Sequence, residues 1–192
     1  MLKRLYDRLL TLAASPAAPW WLALIAFAEA SFFPIPPDVM LIPMALARPR
    51  AAWIFAAICT TASIIGGAFG YLIGHAVFDQ LARPILSLYG YGPAYAAFAA
   101  KFQEYGVWIV LIKGLTPIPY KIVTIAAGAA GMAFWPFMLA SLITRGARFF
   151  LVATLLHYFG DSVRDFIERR LTLVTSAVAA GVVGGFLVLK VF

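Results

Sequence analysis

One cysteine, two histidines and a shortage of charge leave this chain little of the chemistry on which most enzymes depend. Cys59 has no second thiol, so an internal disulfide is excluded. It lies in an apolar run without a neighbouring base and reads as a small packing residue. His75 and His157 stand far apart, with no HxxxD pattern or carboxylate cluster beside either, so neither a metal site nor a nucleophile–base pair is expected. The expectation is therefore no catalytic residues, no metal and no cofactor. Charged residues make up 12% of the chain, against about 25% in ordinary soluble domains. Acidic residues are the scarcer sign, at 8 against 15 Lys and Arg, for a net charge of +7. No basic stripe runs along a polar surface, which argues against nucleic acid as partner. A cleavable signal peptide is not expected either, because Tyr6, Asp7 and Arg8 interrupt any apolar core.

What remains is 64% hydrophobic: an all-α integral membrane protein of one polytopic domain, 1–192. Residues 1–15, with leucines interleaved by Lys3, Arg4 and Arg8, suggest an amphipathic helix on the cytoplasmic face. From Trp20 to Phe33 the chain is apolar around Glu29, and fourteen helical residues reach only about 21 Å, short of a hydrocarbon core of about 30 Å. Pro34, Pro36 and Pro37 then stop the helix, and a shorter apolar run follows to Ala47. Residues 20–47 thus read as a re-entrant hairpin. Residues 51–78 are long enough to span, and Gly66, Gly70 and Gly74 form a stripe for close helix packing or for a lipid-facing groove. Residues 85–105, rich in Tyr and Phe, suggest an external interfacial segment. Residues 107–131 repeat the hairpin logic around Pro117 and Pro119. A span at 133–159, a polar cytoplasmic helix at 161–170 and a C-terminal span at 171–192 complete the chain. Gly160 marks the expected stop between the first two of these.

The two proline breaks are related. At an offset of 83 residues Pro34-Ile35-Pro36 falls on Pro117-Ile118-Pro119, and Asp38 falls on Lys121. One span separates the hairpins, so they enter from opposite faces as an inverted repeat. Matched broken helices in two halves of an apolar chain point to a transport site. The positive-inside rule agrees: eight Lys and Arg fall on the expected cytoplasmic side and three outside, with the N-terminus cytoplasmic.

Six ionisable residues lie at expected membrane depth: Glu29, Asp38, Lys113, Lys121, Arg145 and Arg148. Each costs at least about 2.5–3.5 kcal/mol at a helix centre, so pairing or a ligand must offset them. Four cations exceed two carboxylates, and the half-helix N-termini beginning near Pro36-Pro37 and Pro119 add positive potential. An anionic, phosphate-bearing headgroup would fit there, gripped by Arg145 or Arg148. A carboxylate taking up a proton when the anion leaves would couple the two movements. The alternative is that the carboxylates simply neutralise two cations as structural ion pairs.

Glu29…Pro34-Ile35-Pro36-Pro37-Asp38, Gly66-Gly67-Ala68-Phe69-Gly70-Tyr71, Lys113…Pro117-Ile118-Pro119-Tyr120-Lys121 and Arg145-Gly146-Ala147-Arg148-Phe149 together resemble the DedA family. The likeness is to its YqaA-like branch, within the SNARE-associated or VTT-domain superfamily, over roughly residues 15–160. The resemblance implies a bacterial inner-membrane protein with two opposed re-entrant hairpins. It also implies a translocase of undecaprenyl phosphate or phospholipid, coupled to protons or other cations. Family carboxylates map onto Glu29 and Asp38, and the paired basic residues of the second hairpin onto Lys113 and Lys121. Here these are lysines eight residues apart, where many relatives carry arginines six apart. A proton-coupled carrier of a small solute and, less favoured, a lipid-modifying enzyme are the alternative readings. Association into a homo-oligomer is compatible with all of them.

Overall fold

The computed structural model describes residues 15–169, apart from 34, 79, 81–83, 85–87, 89, 91 and 116–119. The expected helix at 1–15, the span at 171–192, and Pro34, Pro117 and Pro119 lie outside the described residues. Within them the architecture is all-helical, with no strand. Six α-helices follow in order: α1 (Ala18–Ser31), α2 (Asp38–Ala47), α3 (Ala52–Val77), α4 (Gly92–Leu115), α5 (Tyr120–Ala129) and α6 (Phe134–Arg169). A 3₁₀ turn, Pro49–Ala51, leads into α3.

Among the described residues, two helices, Pro49–Val77 and Phe134–Gly160, are long and apolar enough to cross a membrane. Their outward residues are apolar too, with Ile54 and Ile143 each 62% exposed and Trp135 74% exposed. Such surface suits lipid rather than water. Proline explains the short helices. Pro36 and Pro37 carry no N–H and cannot continue α1, and Pro37 instead caps α2, whose first residue is Asp38. At the far end of α5, Gly131 takes a left-handed conformation (φ +66°). Its N–H donates to Gly128 and that of Met132 to Ala127, both at 3.0 Å, closing the helix in the double-bonded glycine cap.

The 83-residue offset survives in the elements. It carries α2 onto α5, α3 onto the apolar part of α6, and α1 onto the last part of α4. Packing follows the same equivalence: α1 lies on α3 and α4 on α6, while α2 crosses to α6 and α5 crosses to α3. Each short helix thus packs on the long helix of the other half. Two apolar cores result. One joins α1 and α2 to the first part of α3 and to Phe149, Ala153 and Leu156 of α6. The other joins α4 and α5 to Tyr71, Phe137 and Ala140. Between them, along α3 and α6, lies a buried polar layer that includes Thr60, Ser63, Ser141, Thr144 and Arg145.

Two expected boundaries shift. The segment at 85–105 does not end before residue 107, because α4 runs unbroken through Gly106 for 24 residues. Gly106 is a close-approach position instead: a Cβ there would sit 2.8 Å from Met132 Sδ. The first limb of the second half is therefore longer than α1, 24 residues against 14. Likewise α6 passes through Gly160 and continues to Arg169. One glycine costs a helix about 1 kcal/mol, which propagation of an established helix outweighs. The glycine stripe of α3 is also resolved. Gly66, Gly70 and Gly74 are buried, Gly66 against the Phe27 carbonyl of α1 and Gly74 against the Ile125 carbonyl of α5. It is a packing face, not a groove for lipid.

Candidate functional site

The last turn of α1 ends inside the protein, where its carbonyls would be left without partners. Side chains from two other helices serve them. Thr124 Oγ1 of α5 reaches Ala30 O at 3.0 Å, and Ser63 Oγ of α3 donates to Ala26 O at 3.3 Å. Lys121 Nζ lies 3.5 Å from Phe32 O, just beyond the helix end, a favourable place for a cation. Ser31 Oγ is 2.8 Å from Phe27 O and 2.9 Å from Gly66 O, fastening α1 to α3. The α1 terminus is therefore fixed, and with it Glu29.

Glu29 forms an ion pair with Arg145 of α6. Arg145 is fully buried, and its Nη2 also donates to Ser63 Oγ at 3.0 Å. Its guanidinium lies between the rings of Tyr120 and Phe149, 4.7 Å from each centroid, within cation–π range. Among the described residues, Arg145 Nε and Nη1, Tyr120 Oη and Ser141 Oγ are buried without a hydrogen-bond partner. Tyr120 and Phe149 were not among the expected site residues, although each adjoins or lies near one in sequence, beside Lys121 and one residue after Arg148.

One turn along α6 a second pair repeats the first. Arg148 Nη2 donates to Asp38 Oδ2 at 2.5 Å. This pair is more open, with side chains 36% and 20% exposed, against 0% for Arg145. Glu29 and Asp38 of the first half are thus each held by an arginine of the second, across 116 and 110 residues of sequence. Of the other expected residues, Pro36 and Pro37 form the entry to α2, and Lys121 stands at the start of α5. Lys113 belongs to α4, but its side chain is outside the described residues.

The geometry alters two expectations. Arg145 is fully buried against a carboxylate and two rings, so no surface of it is open to a headgroup, although its Nε and Nη1 lack partners among the described residues. The N-terminus of α2 is also a poorer anion cradle than its position suggests. Pro36 and Pro37 have no N–H, and Val39 and Met40 donate back to the Pro36 and Pro37 carbonyls at 3.3 and 3.0 Å. What the site presents is side-chain charge: the Arg148–Asp38 pair between α6 and α2, and Lys121 of α5 at the end of α1.

Broken helices, two spans and paired charges in an apolar protein define the class: a polytopic helical membrane protein with an ion-paired centre. Comparison with known proteins gives the family. The VTT domain matches residues 35–158, and the chain belongs to the VTT-domain, or DedA, family. It is 38% identical over 186 residues to an uncharacterised protein of Haemophilus influenzae, covering 97% of this chain and 96% of that one. An uncharacterised protein of Histophilus somni is 41% identical over 186 residues, covering 97% of each. No solved structure matches the chain.

Proposed function

We propose that this protein is a translocase, a flippase or scramblase, of an anionic phosphate-bearing lipid such as undecaprenyl phosphate or a phospholipid. It works in the bacterial inner membrane, with the N-terminus cytoplasmic and movement coupled to protons or another cation. The two halves enter the bilayer from opposite faces, α1–α2 as a re-entrant hairpin and α4–α5 as its counterpart. The observation that carries this reading is the half-exposed Asp38–Arg148 pair. A sealed ion pair is out of a ligand's reach, whereas the accessible Arg148 keeps guanidinium donors that an anion can reach. Membership of a membrane family associated with lipid movement supports it. A lipid suits the site because its chains stay in the bilayer while only the headgroup crosses.

Neutralising the accessible charges separates this role from a structural one. Asp38→Asn and Lys121→Gln are expected to accumulate in the membrane as folded protein and to lose lipid transport. Transport assays on purified, reconstituted variants check this, with gel filtration as the folding control. Loss of folded protein in Asp38→Asn, cured by adding Arg148→Gln, would instead make the pair a structural clasp. Uptake of a soluble solute that is indifferent to added lipid headgroup would favour a small-solute carrier.

A further inference from the structure

The two arginines of α6 do different work, and the difference sets the sign of coupling. Without a ligand, neither repels its surroundings: Arg145 holds Glu29 and Arg148 holds Asp38. A carboxylate is therefore not needed to relieve an empty, repelling site, and the expectation that it protonates when the anion leaves loses its motive. The ionised carboxylate belongs to the empty state.

We infer that Arg148 is exchanged between Asp38 and the lipid phosphate, so that a headgroup and a proton bind together. The inference rests on the proposed lipid transport and fixes its coupling. Arg148 is the exchangeable partner because it is 36% exposed and donates to Asp38 through one Nη, leaving the rest of a five-donor fork for a phosphate. Arg145 cannot exchange, being sealed between Tyr120 and Phe149.

The charge balance gives the proton its place. Before binding, the pair is one cation and one carboxylate. A phosphodiester that takes Arg148 leaves the Asp38 carboxylate half-buried without its counter-charge. Uptake of one proton from water restores neutrality, so the loaded site carries the same net charge as the empty one. Among the described residues, few other groups can substitute for Arg148. On α3 there is Cys59, a buried thiol within electrostatic reach of Asp38, Glu29 and Arg145. On α1, Glu29 is committed to Arg145, and Lys121 of α5 reaches the Phe32 carbonyl at 3.5 Å. Arg48 and Arg50 lie at the opposite end of α2. Release runs in reverse: Asp38 loses its proton, recaptures Arg148 and displaces the headgroup.

The test is calorimetric titration of the purified full chain in non-ionic detergent with dioctanoyl phosphatidylglycerol. Its phosphodiester charge is constant across the neutral range, so any pH dependence belongs to the protein. Repeating the titration in buffers of different ionisation enthalpy counts protons. Wild type is expected to take up close to one proton per lipid, with affinity rising up to about tenfold per unit fall in pH. Asp38→Asn is expected to bind at least as tightly, take up no proton and lose the pH dependence. Arg148→Gln is expected to lose most of the affinity. Binding with proton release, or Asp38→Asn folded but unable to bind, would overturn the exchange while leaving lipid transport standing. Equal affinity for the deacylated headgroup, glycerophosphoglycerol, would overturn the lipid assignment. No binding by folded wild type to either probe would overturn both.

Discussion

Replacing Arg145 by methionine is expected to remove nearly all folded protein from the membrane. The substitution leaves Glu29, 8% exposed at the end of α1, as a buried carboxylate without its cation. Breaking a buried pair from one side costs about 3–5 kcal/mol. That is a large share of a total stability of roughly 5–15 kcal/mol. The loss also empties the space between Tyr120 and Phe149, where the guanidinium packs on both rings. Adding Glu29→Gln to Arg145→Met removes the orphaned charge, so the double variant is expected to recover much of the folded protein. Gel filtration and thermal unfolding of the singles and the double measure the coupling as a cycle. Accumulation of Arg145→Met at the wild-type level would show that the pair is not a clasp between the halves.

An equally large effect is expected from Gly128→Leu on α5. A Cβ at Gly128 would run into the Tyr71 carbonyl of α3, and its next neighbour is the His75 amide nitrogen at 2.9 Å. These are backbone atoms, so no rotamer change relieves the clash and the helices must part. Parting them also weakens the Tyr71 Oη hydrogen bond to Met132 O, 2.5 Å long, and the α5 packing that seats Tyr120 and Lys121. Overpacking a tight core typically costs about 1–3 kcal/mol, and more where backbone is met. Even Gly128→Ala is expected to destabilise. Gly92→Ala serves as the control, because nothing lies within 4 Å of its Cβ position. Melting curves in detergent compare the three, and an unchanged midpoint for Gly128→Leu would contradict the close α3–α5 contact.

These two sites show where the sequence was legible and where it was not. The 83-residue offset between the proline breaks is a local pattern, and it located α2, α5 and the two long helices. The charges at membrane depth were equally plain, because an ionisable residue stands out in an apolar run. Their partners were not. Arg145 and Arg148 reach Glu29 and Asp38 only because α6 packs on α2 and on α3, the helix that also carries α1, a tertiary fact with no local signature. The same holds for glycine. The boundary expected between residues 105 and 107 and the stop expected at Gly160 are both absent, because α4 and α6 continue through Gly106 and Gly160. Gly131 does end α5, and it does so with Met132 bonded back to Ala127. A glycine alone does not distinguish a cap from a close contact; the neighbouring helix decides. That Pro36 and Pro37 bring no N–H to the α2 terminus is plain from residue type, but that Val39 and Met40 bond back to their carbonyls is not.

The central claim is that Asp38, Arg148 and Lys121 carry an anionic lipid headgroup across the bilayer. Movement of labelled undecaprenyl phosphate and labelled phosphatidylglycerol in proteoliposomes tests it most directly. Wild type is expected to move at least one of them across well above the rate of protein-free vesicles, with Lys121→Gln and Arg148→Gln at the protein-free rate. Equal rates for wild type, both variants and empty vesicles, across several anionic lipids and with a proton gradient of either sign, would contradict it.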